Sequence, residues 1–301
     1  MHIPVLLNEV IECLNPKSNE NFVDCTVGFA GHAKAILEKI KPNGRVLGIE
    51  IDPQVCQMLN QERNKGDSLK RLLVVNDSYV HLKKIVQEHN FYPVQGVLLD
   101  LGLSSWDLEK SAKGFSFSKD EPLDMRYAVQ HSGSKTQSLT AKEIVNEWTQ
   151  EQLAGIFRDF GQERFAKTIA KNIVKARKLT PIETTFQLVE IIRKSFPRSY
   201  KFGKVHFATR VFQALRIAVN NELENLKTVL PQTLEVLEPN GRIVVISFHS
   251  LEDSIVKKFF KENAKNGFLQ ILTKKPLLAS FAEIKNNPKA RSAKLRAARK
   301  L

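Results

Sequence analysis

Apolar positions along the chain follow two rhythms. In the first hundred residues, short apolar runs alternate with stretches of helical spacing. Phe22-Val23-Asp24-Cys25-Thr26-Val27 reads as a strand and runs into a glycine-containing turn. Ala33, Ile36, Leu37 and Ile40 then share one helical face, which Pro42-Asn43-Gly44 ends. Arg45–Glu50 is a second strand, and Pro53 suits the first turn of the next helix. Leu72–Val75 is a third strand, about Val80–His89 a helix, and Val94–Leu101 a fourth strand. This repetition predicts an α/β fold, a parallel sheet with helices on both faces.

The rhythm then breaks. Residues 104–135 are rich in Ser, Gly, Lys and Asp and predict loop or short irregular structure. From about Thr140 to Phe196 the apolar stripes are helical (Ile144/Val145/Trp148, Leu153/Phe157/Phe160, Ile169/Ile173/Ala176). Thr140 with Glu143 forms a capping box, and Pro181 marks a further helix start. One long helical stretch is expected from about Thr209 to Leu237, then a buried strand, Gly241–Phe248, and a helix, Leu251–Glu262. A helical domain inserted after the fourth strand explains this order better than tandem domains. The expected division is 1–106 and 207–301 for the sheet and 107–206 for the insert, a candidate substrate-recognition module.

Composition narrows the partners. The 301 residues are 42% hydrophobic, enough for a sizeable core, and no apolar run approaches the roughly 18 residues of a membrane span. With no basic, apolar leader at Met1-His2-Ile3-Pro4, a cytoplasmic protein is expected. Cys13, Cys25 and Cys56 form no Cys-x-x-Cys pair, so neither a disulfide framework nor a thiolate metal site is indicated. The net charge of +14 calls for a polyanionic partner. After Glu283 come seven basic residues and no acid, and the alternation Ala293, Leu295, Ala297 makes part of that segment a strand with one basic face.

Candidate chemistry lies at the strand ends, where parallel sheets bind ligands. Asp24–His32 turns the first strand into its helix with Gly28-Phe29-Ala30-Gly31, and Glu50 ends the second strand. An acid there can accept hydrogen bonds from both hydroxyls of a ribose. A dinucleotide loop would read Gly-x-Gly-x-x-Gly, and Asp24 is awkward beside a pyrophosphate but useful to the cationic amino-acid end of AdoMet. The loop therefore favours AdoMet and leaves NAD, and an oxidoreductase, as the weaker reading. Asp100 with Ser104 and Ser105 ends the fourth strand, and Ile246–Asp253, containing His249, ends the later one. Ser250 with Asp253 resembles a capping box.

Over nearly the whole chain, these and other segments resemble the RsmH (MraW) family, the ribosomal RNA small-subunit methyltransferase H family of cytosine-N4 methyltransferases. They include His2–Leu7, Leu99–Ser105, Gly114–Phe117, Pro122–Arg126, Gly161–Ala166, Ala208–Ile217, Ile246–Asp253 and Asn287–Ser292. The resemblance implies a Rossmann-like class I AdoMet-dependent methyltransferase sheet with an inserted helical domain, methylating a cytidine N4 in the decoding region of small-subunit rRNA. It also implies a homodimer, with naked rRNA or the assembled subunit as partner. Carried over by position, cofactor contacts would come from Ala30-Gly31-His32, Glu50, Tyr79, Asp100 and Asp107, joining Asp24 and Gly28 of the loop. The chain departs from the family at Ala30 (usually Gly), Glu50 (Asp), Tyr79 (Phe) and Asp107 (often Gln). For catalysis, Asp100 or its neighbouring carbonyls are the candidate acceptor at the amine, Ser104 and Ser105 orient the base, and His249 relays the proton. Candidate RNA contacts are Arg126, Arg164, Lys201, Lys204, Arg210, Arg291, Lys294 and Arg296, on a single-stranded or splayed target. Trp106, Phe115, Phe117 and Tyr127 are candidates for stacking or, more simply, core. A catalytically silent RNA-binding protein is the second alternative.

Overall fold

The computed structural model describes residues 4–65, 69–127, 139–197, 199, 203 and 205–301. They fall into two compact units: Met1–Gly102 with Leu223–Leu301, and Leu103–Glu222. The expected insert ended at residue 206, whereas the second unit runs one helix further.

The first unit holds strands β1 (Phe22–Asp24), β2 (Val46–Glu50), β3 (Leu72–Asn76), β4 (Val94–Asp100), β5 (Leu237–Ser247), β6 (Leu269–Ile271) and β7 (Lys294–Lys300). They form one sheet in the order β3-β2-β1-β4-β5-β7-β6. Pairing is parallel from β3 to β5, and β7 runs antiparallel to both neighbours. This is the class I methyltransferase sheet that the resemblance implies. Its helices are α1 (Leu7–Leu14), α2 (Gly31–Lys39), α3 (Pro53–Lys65) and α4 (Leu82–Glu88), and, later in the chain, α11 (Glu222–Val236), α12 (Ser250–Lys265) and α13 (Phe281–Asn286).

Side chains on a strand alternate between faces, and here both faces are covered. Val23, Leu47, Val97, Leu99, Ile243 and Val245 join α4, α11 and α12 in one apolar cluster. Their neighbours Phe22, Val46, Leu98, Val244 and Ile246 join α1 and α2 in the other. The uninterrupted apolar runs of the sequence therefore register two buried faces. Strand β1 stops at Asp24, short of the expected Val27, because the Asp24 carboxylate accepts the Thr26 amide and starts a turn. The cysteines are free thiols: Cys25 and Cys56 are buried and Cys13 half-buried.

The second unit contains α5 (Ser105–Glu109), α6 (Ala141–Glu147), α7 (Gln150–Asp159), α8 (Ala166–Arg177), α9 (Thr185–Lys194) and α10 (Thr209–Asn220). Thr140, Thr149 and Thr184 cap α6, α7 and α9 through capping boxes, so short helices are each closed at the start. Ile144, Leu153, Phe157, Ile169, Ile173, Leu188 and Val211 share its core. The helix expected over Thr209–Leu237 is two helices, α10 and α11 (Glu222–Val236), broken at Asn221. That residue takes the left-handed conformation Asn tolerates (φ 52°). The remaining helices are α12 (Ser250–Lys265) and α13 (Phe281–Asn286). Among the described residues no helix is long and apolar enough to cross a membrane.

Candidate active site

Strand order reverses between β1 and β4, so the connections leaving their carboxyl ends diverge and open a crevice there. The register places Asp24 beside Leu98, two residues before Asp100. Thr26 joins the two ends: its hydroxyl accepts the Asp100 amide at 2.7 Å, and its own amide goes to Asp24 Oδ1 at 3.2 Å. One strand over, the Glu50 carboxylate accepts the Gly28 amide at 3.1 Å and the Asp52 amide at 2.8 Å. Three carboxylates are thus held at neighbouring strand ends.

The loop between β1 and α2 is shaped by its backbone. Gly28 has φ 49°, and Ala30, the N-cap of α2, has φ 60° and ψ 30°. The position where the resemblance expects glycine is therefore left-handed, with an alanine methyl buried in it. Gly31 has no room for a side chain, since a Cβ would lie 2.5 Å from Pro4 Cγ. The first turn of α2 then presents His32, 5% exposed. Its Nε2 lies 2.9 Å from the Val5 carbonyl and its Nδ1 3.6 Å from Asp100 Oδ2.

Electrostatics follow from burial. Desolvation raises Asp24 to about 6 against the pull of His32 and the Thr26 hydrogen bonds. Desolvation, with Glu252 adding its charge, raises Asp100 to about 7. Burial pushes His32 below its ordinary value despite the nearby Asp24. Asp100 Oδ1 is buried with no hydrogen-bond partner among the described residues. A crevice of acids with one orphaned carboxylate oxygen suits a ligand that carries positive charge and hydroxyl donors.

His249 lies after β5 as the N-cap of α12. Its Nδ1 accepts the Glu252 amide at 3.4 Å, and Glu252 accepts the amides of Phe248 and His249. The capping pair is therefore His249 with Glu252, one residue before the expected Ser250 with Asp253. Asp253 is turned to other work: it accepts from Arg296 Nε at 2.6 Å and lies 3.6 Å from Lys294. Tyr79 opens a short 3-10 turn three residues past β3 and packs against the apolar cluster.

In the second unit, Ser104 and Asp107 form the capping box of α5, with the Ser104 hydroxyl 2.6 Å from Asp107 Oδ2. Ser105 begins that helix, and its side chain lies outside the described part of the structure. Asp124 accepts from the Arg126 guanidinium at 2.8 and 2.7 Å and from its backbone amide at 3.0 Å, while Arg164 and Arg210 are exposed. Phe115 is core, and the Tyr127 hydroxyl donates to Glu222, which pairs with Arg216. Phe117 stacks on His206 at 4.4 Å. Lys201 and Lys204 lie outside the described residues. In the first unit Arg291 is exposed, whereas Arg296 is 7% exposed.

The comparisons decide the family. The model of the MraW methylase family matches residues 1–301. The chain belongs to that family. It is 46% identical to the ribosomal RNA small subunit methyltransferase H of Pseudothermotoga lettingae, covering 99% of this chain and 98% of the relative. It is 43% identical to the protein of that name from Heliobacterium modesticaldum, covering 100% and 98%. Three residues of the candidate site were not expected from the sequence. Thr26, Val5 and Glu252 act on partners 74, 27 and 152 positions away, so only the fold reveals them.

Proposed function

We propose that this chain is an AdoMet-dependent rRNA methyltransferase that acts on the exocyclic N4 of a cytidine in the decoding region of the small subunit. The observation that carries the reading is a full-length family match combined with three carboxylates at neighbouring strand ends. The donor set fits AdoMet: Glu50 for the ribose hydroxyls, Asp24 for the cationic amino-acid end, and Gly28, Ala30, Gly31 and His32 for close backbone approach, with Tyr79 and Asp107 as further contacts. When bound, the sulfonium supplies an electrophilic methyl group.

The chain's own residues address the amine, whose lone pair is delocalised into the cytosine ring. Asp100 accepts an N–H, and its buried setting strengthens that hydrogen bond. Ser104 and Ser105 orient the base, and His249 passes the released proton outward. Alignment of amine and methyl supplies much of the rest, worth several kcal/mol. Arg164, Arg210 and Arg291 contact phosphates, with Lys204, Arg126, Lys294 and Arg296 as the further candidates. The protein works in the cytoplasm as a homodimer.

The test is methyl incorporation from labelled AdoMet into isolated small subunits, naked rRNA and DNA, followed by nucleoside analysis. N4-methylcytidine in RNA is expected. Label confined to DNA, or on another atom, would overturn the reading.

A further inference from the structure

The His32 ring has two unlike neighbours. Nε2 is 2.9 Å from a carbonyl oxygen, which can only accept, so Nε2 carries the hydrogen. In the neutral ring Nδ1 is then a bare lone pair, and it faces Asp100 Oδ2 across 3.6 Å. Two acceptors pointed at each other in a buried place repel. Asp100 gains no relief from another side chain or amide, since among the described residues its Oδ1 has no hydrogen-bond partner. The groups around it add negative charge: Asp24 from β1 and Glu252 from α12, with Glu283 of α13 beyond His32. Among the described residues no lysine or arginine pairs with Asp24 or Asp100. The other ring near this edge, His249, is engaged with Glu252.

We propose that below neutral pH Asp100 is held as a neutral carboxylic acid in the ligand-free protein, by its burial, by the Glu252 charge and by the lone pair of a His32 ring whose tautomer the Val5 carbonyl sets, and that a cationic ligand drives the proton out. His32 is on this view a positioning residue that acts through Asp100. The balance is simple: one O–H bond of Asp100 breaks, its proton leaves to solvent, and the positive charge of the ligand replaces it. The acceptor needed at the amine is thereby fully charged only when the methyl donor is present. This second half rests on the AdoMet reading above. The Asp100 value of about 7 agrees with it, and His32, driven below its ordinary value by burial, does not compete for the proton.

The sign follows. A proton bound in the free protein and absent from the complex makes binding tighten as pH rises through the free-protein value. For Asp100 near 7, apparent AdoMet affinity increases about tenfold from pH 6 to pH 8, with about half a proton released at pH 7. Calorimetry in two buffers of different ionisation enthalpy reads both quantities. Asp100→Asn should flatten the pH dependence and abolish most of the release. AdoMet binding that is flat with pH and releases no proton in the unaltered protein overturns the inference and leaves the cofactor reading standing. Absence of AdoMet binding at every pH sinks the cofactor reading and the ligand-driven half with it. NMR of the labelled ligand-free protein decides the first half separately. A neutral His32 with its hydrogen on Nε2 and an Asp100 carboxyl titrating near neutrality upholds it. A His32 imidazolium at pH 7, or an Asp100 that titrates below about 5, overturns it.

Discussion

At the scale of single residues, the β1–α2 loop contrasts two neighbouring positions. Ala30 sits at φ 60°, a conformation that costs a non-glycine residue about 1 kcal/mol. Its methyl is fully buried, and burial of one such group returns about 0.8 kcal/mol. The two effects nearly cancel, so Ala30→Gly is expected to change stability by less than about 0.5 kcal/mol and to leave AdoMet affinity intact. Gly31→Ala is expected to cost about 1–3 kcal/mol, because its Cβ would meet Pro4 at 2.5 Å. Moving Pro4 also moves the Val5 carbonyl off His32, so AdoMet affinity should fall with stability. Thermal unfolding and calorimetric titration of both variants check this, and a stable, tightly binding Gly31→Ala would refute it. The loop itself was legible, since glycines and an acid at a strand end are local features. What Val5 and Thr26 do was not, because Thr26 meets Asp100 only after strands β1 and β4 have paired, and Val5 meets His32 only once the N-terminal segment lies against α2.

At the scale of elements, caps and strand register decide what the local pattern leaves open. Both His249-x-x-Glu252 and Ser250-x-x-Asp253 can start a helix, and Ser is the commoner N-cap. The extended backbone at His249 (φ −137°, ψ 167°) and the end of β5 at Ser247 select the earlier pair. This gives His249 a structural duty beside its proposed proton transfer, and the two separate by substitution. Asn is itself a strong N-cap, so His249→Asn should keep the melting temperature, while His249→Ala loses about 1 kcal/mol. If His249 relays the proton, both variants lose turnover and its pH dependence; full activity in His249→Asn would reduce the residue to a cap. The strand calculus of the sequence was sound here too. Alternation at Ala293, Leu295 and Ala297 foretold β7, but not which partner Arg296 would meet, since that depends on the antiparallel pairing of β7 with β5 and on α12 lying against it.

For the whole molecule, the question is how much of the +14 charge faces an RNA. Part of the basic C-terminal segment is absorbed by the fold. Arg296 and Lys294 serve Asp253, and the Lys300 ammonium donates to the carbonyls of Leu234 and Leu237. Burial alone would raise Asp253, yet the Arg296 hydrogen bond and charge bring it below its ordinary value, a sign of a pair that stabilises the folded state. Arg291, by contrast, is exposed. Removing Arg296 leaves Asp253 mostly buried with Lys294 as its remaining cation, so Arg296→Ala should cost about 3 kcal/mol and lower the melting temperature at any salt concentration. Arg291→Ala should leave the melting temperature unchanged. It should weaken binding to rRNA and reduce the slope of log affinity against log salt by about 0.7–0.9, the signature of one lost phosphate contact. Salt titrations of both variants distinguish the roles. A stable Arg296→Ala with a reduced salt slope would mean that the Asp253 pair opens for RNA and that the charge is held in reserve. An unchanged slope for Arg291→Ala would move the RNA track away from this end of the chain, toward the exposed Arg164 and Arg210 of the second unit.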